Sequence, residues 1–325
     1  MASAKIIGLG KYIPEKILTN ADLEKMVDTS DEWITTRSGI KTRHLASESE
    51  AASDLAAQAC TQALKNAGVK AKDIDCIIVA TITPDTQFPS TACYVQQRIG
   101  SPHAACFDIS SACAGFVYAL ALGWQLIKGG MYKNIVVVGT EKLSSITDWS
   151  DRSTCVLFGD GAGAAVLTAS KKEHFLSFHL GSDGSLTDIL TVPAGGSRMP
   201  ASAQTVKQGE HYLKMKGNEI FKLAVRIMVD AAGQALKKAR LKIDDIDLFI
   251  PHQANIRIID AVADRLHLSP EKLFVNIAEY GNMSAASTAV AFCEAFEQQR
   301  FKKGNMVMLD TFGAGLVWGS CIIEM

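Results

Sequence analysis

The chain repeats itself at a spacing of about half its length. Residues 63–80 read ALKNAGVKAKDIDCIIVA and residues 235–252 read ALKKARLKIDDIDLFIPH, a shift of 172 (235 − 63) with nine identities in eighteen positions. Two further pairs follow at a shift of 171: YKNIVVVGTE (132–141) with KGNMVMLDTF (303–312), and SSACAGFVYALALGWQLI (110–127) with GNMSAASTAVAFCEAFEQ (281–298). Three segments in one order at one spacing mark a structural duplication. In the first pair each copy reads as an amphipathic helix, a Lys/Asp-rich turn and an apolar β-rich strand.

Continuous Ile/Val runs such as Cys76 to Ala80 and Ile135 to Val138 predict strands buried on both faces, hence mainly parallel or mixed sheets between helices. The expectation is two pseudo-equivalent α/β halves, roughly 1–172 and 173–325, packed with helices between their sheets. Residues 184–217, rich in Gly, Ser and Pro and without periodicity, read as an inserted loop region beside a site rather than a linker. A net charge of −1 excludes bulk attraction to nucleic acid, so an acidic partner must meet a local basic patch. The first residues run straight into a strand-like Ile6-Ile7-Gly8-Leu9-Gly10 with no signal-peptide pattern. The longest apolar stretch, Phe116 to Ile127, is shorter than the about 20 residues a bilayer span needs. Eight scattered cysteines without a CxxC pair argue for reduced thiols in a cytoplasmic protein and against zinc.

One cysteine stands apart. Cys113 lies in Asp108-Ile109-Ser110-Ser111-Ala112-Cys113-Ala114-Gly115-Phe116, where a β-like segment turns into an almost wholly apolar helix. The positive end of that helix dipole would favour thiolate, and the small neighbours leave room for an acyl group. His252 follows the strand Leu248-Phe249-Ile250, at the carboxyl end where α/β sheets place ligands. Asn282 sits in Gly281-Asn282-Met283-Ser284-Ala285-Ala286-Ser287, the repeat counterpart of the cysteine turn. Alone it reads as a helix cap; the duplication brings the two helix starts, and so these residues, to one place. The glycines of Gly159-Asp160-Gly161-Ala162-Gly163 suggest a phosphate loop only weakly, because a strand (Ala164 to Leu167) follows; tight turn geometry is the expectation.

These motifs resemble the β-ketoacyl-acyl-carrier-protein synthase III family of thiolase-fold condensing enzymes. The likeness runs through LGKYIPEKILTN (9–20), DEWITTRSGIKTRH (31–44), DISSACAGF, FGDGAGAAVL (158–167), GNEIFKLAV (217–225), PHQANIRII (251–259) and GNMSAAS to FGAGLVWG (312–319), essentially the whole chain. It implies a thiolase-like duplicated α/β fold, with layered helices and two mixed five-stranded sheets in an α/β/α/β/α stack. The implied reaction is decarboxylative Claisen condensation of a short acyl-CoA, acetyl-CoA above all, with malonyl-ACP, without a metal or cofactor. A Cys-His-Asn set differs from the Cys-His-His of elongating synthases and from the second cysteine of degradative thiolases. Papain-like proteases share the residue types but not these motifs or the duplication.

The resemblance implies roles residue by residue. Cys113 carries the acyl group, since a thiolate is a good nucleophile and its thioester stays reactive towards carbon. His252 and Asn282 donate to the enolate oxygen formed as carbon dioxide leaves. The backbone N–H groups of Cys113 and Ala314 form the second oxyanion hole, with Ala314 where a glycine is often found. Trp33 and Arg37, one helical turn apart, would lie against the two faces of the CoA adenine, with Arg152 at the same end. Gly217, Asn218, Phe221, Ala254 and Asn255 would contact the rest of CoA, the two asparagines meeting the pantetheine amides. Acyl carrier protein would dock on Lys222, Arg226, Gln253 and Arg257, a patch that Lys214, Lys216 and Arg265 can widen. Asp264, where a base is common in the family, implies weaker or reoriented docking. Phe88, in Thr86-Gln87-Phe88-Pro89-Ser90, would reach across a homodimer interface to close the partner's acyl pocket and so favour short primers. Three other readings stay open: a specialised synthase-III-like acyltransferase with other primers, a hydroxymethylglutaryl-CoA synthase, and a non-catalytic partner subunit of a condensing heterodimer.

Overall fold

Strands that are apolar on both sides must be covered on both sides, and this requirement sets the layering. The computed structural model describes residues 3–325. Its first sheet comprises β1 (Ser3–Tyr12), β2 (Cys76–Ala80), β3 (Ala105–Ile109), β4 (Asn134–Lys142) and β5 (Asp160–Ser170), in the order β1-β5-β4-β2-β3. The second comprises β6 (Phe175–Ser182), β7 (Leu248–Pro251), β8 (Met306–Gly313) and β9 (Val317–Glu324), in the order β6-β9-β8-β7. The two orders match strand for strand. In each sheet the first two pairings are antiparallel and the next is parallel.

The second sheet departs from the expected five strands. Where a counterpart of β3 would lie beyond β7, there is only an isolated parallel bridge between Phe249 and Leu273. Phe274 N–H donates to Phe249 O, but two residues later Asn276 N–H is taken by the Gln253 side chain and a short helix, Ile277–Tyr280, begins. The segment turns away before a ladder can form.

Seven helices complete the frame: α1 (Asp31–Ser38), α2 (Ala52–Ala67), α3 (Thr91–Ile99), α4 (Gly115–Lys128), α5 (Gly217–Ala239), α6 (Ile256–Leu266) and α7 (Ala285–Glu297). The central layer is α4 and α7. Phe116, Val117, Leu120 and Ile127 of α4 join Ala289, Phe292 and Cys293 of α7 in one buried cluster with Ile78 and Val137 of the first sheet and Ile250 and Leu309 of the second. Every residue of α7 from Ala285 to Ala295 is buried. The outer face of the first sheet packs against α2 and α3, and that of the second against α5 and α6. The stack is therefore helix, sheet, helix, sheet, helix, as the resemblance implies. No helix among the described residues is long and apolar enough to cross a membrane.

The glycine run from 159 to 163 is not a turn. Asp160 to Gly163 are the first residues of β5, and their small size serves close packing on α7. A Cβ on Gly163 would stand 2.6 Å from the Ala289 carbonyl carbon and 2.7 Å from Val290 N. Asp160, which a phosphate loop would leave exposed, is buried and accepts from Ala46 N–H, Ser144 N–H and Ser144 Oγ–H. Overpacking of this kind costs about 1–3 kcal/mol. Gly163→Ala should lower unfolding stability by about that amount in denaturant titration, with the far-UV spectrum unchanged.

Candidate active site

Cys113 sits on a single 3-10 turn, Ala112–Ala114, immediately before α4, and Ala112 takes a left-handed φ of 41° to make that turn. In the second half the same corner is made by Ser284, φ 47°, immediately before α7. A Cβ on Gly115 would meet the Ala285 Cβ at 3.3 Å, so the two helix starts touch. His252 leaves the end of β7 with its N–H donating to Asp310 O at 2.8 Å. Asn282 is pinned by N–H donation to Leu157 O (2.8 Å) and by accepting Gly159 N–H (3.0 Å). Its side-chain Oδ1 accepts Ser284 N–H at 2.8 Å, which fixes the sense of the amide with the NH2 end opposite.

Cys113, His252 and Asn282 line one cavity of about 490 Å³. The turn Phe312-Gly313-Ala314 closes over the cysteine, because a Cβ on Gly313 would lie 2.6 Å from Cys113 N. Ala314 lines the cavity as well, and it is not among the residues with left-handed backbone, so an alanine fits there without strain. The inner end is apolar: Ile82, Leu143, Phe158, Leu190, Leu213 and Met215. Three of these come from the aperiodic segment 184–217, which does lie beside the site. Nothing in their individual sequence contexts marks them as a wall; they meet only in three dimensions.

Burial dominates the electrostatics. It pushes the Cys113 thiol up to about 12, against a small lowering by the neighbouring Ser284 hydroxyl. Burial thus opposes the thiolate expected at a helix start, and the cysteine precedes α4 on its own turn rather than lying within its first turn. Burial also lowers the His252 imidazole to about 3, so the ring is neutral, and its Nδ1 has no hydrogen-bond partner.

The mouth carries most of the residues expected to hold CoA, in a different arrangement. Trp33, Arg37, Gly217, Asn218, Phe221, Ala254 and Asn255 all line the cavity. Arg37 and Trp33 do not face each other across a gap. One helical turn brings the guanidinium onto the indole itself, 5.1 Å from the ring centroid, and Arg152 lies over the same ring at 4.9 Å. Asn255 caps α6 through Arg257 N–H and donates its own amide to Arg37 O. Arg257 belongs to the mouth, stacked 5.3 Å over Phe221, as does Lys222, whereas Arg226 is exposed on α5 outside the cavity. Gln253 cannot take part in docking: it is 1% exposed and its amide bonds Pro251 O and the Asn276 N–H. Phe88 is 84% exposed and does not line the cavity of its own chain. Sequence reasoning missed Ser284 and Gly313 although both stood in recognised motifs; the positive φ of Ser284 and the close approach of Gly313 to Cys113 are backbone geometry, which residue type signals poorly.

Comparison with known proteins decides the family. The family model "3-Oxoacyl-[acyl-carrier-protein (ACP)] synthase III" matches residues 107–184, and its C-terminal model matches 236–325. A β-ketoacyl-[acyl-carrier-protein] synthase III of Caldanaerobacter subterraneus subsp. tengcongensis is 53% identical over 323 residues, 99% of this chain and 98% of the relative. The chain belongs to the β-ketoacyl-[acyl-carrier-protein] synthase III family. The same-named protein of Natranaerobius thermophilus is 53% identical over the full length of both chains. The crystal structure of the Aquifex aeolicus VF5 3-oxoacyl-[acyl-carrier-protein] synthase III superposes with a TM-score of 0.92 at 47% identity, covering 99% of this chain and 100% of that one. The molecule is thus a thiolase-fold condensing acyltransferase of fatty acid initiation.

A neutral, dry imidazole has a direct signature. The ring nitrogen resonances of His252 should not titrate between about pH 5 and about pH 9 in nitrogen-15 spectra, because protonation waits until about pH 3. A midpoint near the ordinary histidine value would show that water hydrates the ring.

Proposed function

We propose that Cys113 takes the acyl group from a short acyl-CoA and that His252 and Asn282 then stabilise the enolate formed by decarboxylation of malonyl-ACP. The observation that carries this reading is the convergence of the three side chains on one cavity with an apolar inner end and a cationic mouth. In the first step the thiol sulfur attacks the thioester carbonyl, and the tetrahedral oxyanion is met by the N–H groups of Cys113 and Ala314. The C–S bond to CoA then breaks. In the second, malonyl-ACP loses carbon dioxide, and its electron pair becomes an enolate held by His252 Nε2–H and the Asn282 NH2. The carbanion attacks the acyl carbonyl, the C–S bond to Cys113 breaks, and 3-ketoacyl-ACP leaves. Neutral donors suffice for this task when they are held in place beforehand and aimed at the oxygen on which negative charge develops. The chemistry calls for no cofactor beyond the thioester substrates.

The mouth fits CoA through Trp33, Arg37, Arg152, Phe221 and the backbone around Gly217 and Ala254. A planar base would stack by replacing one guanidinium on the Trp33 ring. Asn218 and Asn255 would meet the pantetheine arm. Lys222, Arg226 and Arg257, all exposed, would receive an acidic carrier protein, whereas Lys216 is already paired with Asp188 at 2.6 Å. Asp264 beside Arg265 would weaken that end of the patch. The halves 1–172 and 173–325 are read as the two copies of the duplication, each built on one sheet. A cytoplasmic homodimer, with Phe88 of each chain entering its partner, accounts for so exposed an aromatic ring.

Incubation with acetyl-CoA should add an acetyl mass to the wild-type protein and none to Cys113→Ala, by intact mass spectrometry. His252→Ala and Asn282→Ala should still be acylated but lose malonyl-ACP decarboxylation by about 10²–10³-fold, the effect of deleting one preorganised donor. Acylation without Cys113, or decarboxylation at wild-type rate in both other variants, would refute the assignment.

Primer length is a separate test. Each methylene buried in an open pocket is worth about 0.8 kcal/mol, and a blocked pocket converts this to a cost. Acylation rates should fall from the two-carbon to the eight- and twelve-carbon CoA thioesters, and Phe88→Thr should flatten that series. A wild-type preference for the long primers would remove Phe88 from the pocket and favour a specialised acyltransferase.

A further inference from the structure

Beneath the nucleophile lies a buried polar group that the reaction outlined above leaves unused. Glu141, near the end of β4, is fully buried. Its carboxylate accepts from Thr83 Oγ1 (2.6 Å), Thr81 Oγ1 (3.2 Å) and Ile82 N–H (3.2 Å). The corner before α7 is pressed onto this strand, since a Cβ on Gly139 would lie 2.6 Å from Ala285 O. Ser284 Oγ is buried in that corner and forms no hydrogen bond of standard geometry. Ser284 lines the same cavity as Cys113, and its hydroxyl lowers both the Cys113 thiol and the Glu141 carboxyl, so it neighbours the two groups. A buried hydroxyl without a settled partner, neighbouring an acid and a nucleophile, is placed to receive a proton from one and pass it to the other.

We propose that Glu141, acting through Ser284, takes the Cys113 proton during acylation and returns it when the thiolate is released in condensation. As sulfur attacks the acyl-CoA carbonyl, its proton moves to Ser284 Oγ while the Ser284 proton moves to Glu141. The C–S bond to CoA breaks, and the CoA thiolate takes a proton from solvent at the mouth. Glu141 stays protonated while the acyl-enzyme lasts. When the condensation intermediate collapses, the Cys113 thiolate recovers a proton from Ser284, which is replenished from Glu141. Atoms and charge balance over the cycle, and His252 remains neutral throughout as an enolate donor. The inference rests on Cys113 as the nucleophile.

The surroundings agree with this assignment. Burial raises the Glu141 carboxyl to about 7, within reach of both protonation states, against lowering by Thr83, Ile82, Ser284 and the Ala285 N–H. The charged groups on neighbouring elements are directed elsewhere: Lys142 donates to Ser47 O and Glu50 O, and Asp160 accepts from Ala46 and Ser144. Of the titratable groups that line the cavity with Cys113, His252 is neutral and Arg37, Lys222 and Arg257 are exposed at the mouth, while the buried Asp310 beside His252 has its carboxyl raised by burial.

The test is the pH profile of iodoacetamide alkylation of Cys113, which needs no substrate, beside single-turnover acylation by acetyl-CoA. Below its pKa Glu141 already holds a proton and cannot accept another. The wild-type alkylation rate should therefore show an inflection near pH 7, where Glu141 ionises. Glu141→Gln and Ser284→Ala should lose the inflection and acylate about 10²-fold more slowly at about pH 8, whereas Glu141→Asp should restore part of both. If either folded variant, with a wild-type melting temperature, keeps the inflection, the relay is wrong. Loss of the inflection in His252→Ala with its retention in Glu141→Gln would assign the proton to histidine instead. Should Glu141→Gln fail to fold, Ser284→Ala decides alone. Wild-type protein that shows the inflection but is never acylated by acetyl-CoA would count against the proposed function and leave the relay standing.

Discussion

Everything at the site depends on how closely α4 and α7 approach. Both helices are enclosed between two sheets, and small residues at their starts let the backbones meet, with Gly115 against Ala285. Each helix is entered through a left-handed residue, Ala112 in one half and Ser284 in the other. Such corners cost on the order of 1–3 kcal/mol each, and the surrounding layers hold them in place. The result is a thiol, the proposed nucleophile, from one copy of the fold placed on the same cavity as an amide from the other. Only a duplicated architecture supplies two such corners with one packing arrangement.

The site keeps little standing charge. Burial raises the Cys113 thiol, lowers the His252 imidazole and raises the Glu141 and Asp310 carboxyls, each towards its uncharged form. Charge therefore appears mainly as the reaction proceeds, beside largely buried side chains where fixed donors act most strongly. Fixed cations are confined to the mouth, where Arg37, Arg152, Arg257 and Lys222 face water and can meet phosphates or an acidic protein surface without paying for burial.

Much of this was legible in the sequence because it is written as pattern. The repeat at 171–172 residues foretells two sheets of equal order, and the buried Ile/Val runs foretell helices on both faces of each. Cys113, His252 and Asn282 stand at element ends, where chain topology limits their possible neighbours. What was not legible depends on three-dimensional competition. The fifth strand of the second sheet fails because Asn276 N–H finds Gln253 rather than β7, and that same bond withdraws Gln253 from the surface. The glycines before Ala164 look like a ligand loop when their true neighbours are protein segments far along the chain: Tyr280 at Gly159, Met283 at Gly161 and α7 at Gly163. The helix dipole at Cys113 was readable, but the degree of burial that opposes it was not.

The high proton affinity of the resting thiol has a consequence for the molecule's survival. Oxidants and adventitious electrophiles react with thiolates, and a cysteine held near a pKa of about 12 exposes almost none at neutral pH. Six other cysteines whose thiols are likewise raised by burial share this inertness: Cys60, Cys76, Cys106, Cys155, Cys293 and Cys321. The difference is that Cys113 opens onto a cavity. Reaction there calls for a reagent slim enough to enter the passage and for a group that takes up the thiol proton. Slow attack by chance electrophiles and dependence on a proton acceptor are, in this chain, two results of the same burial.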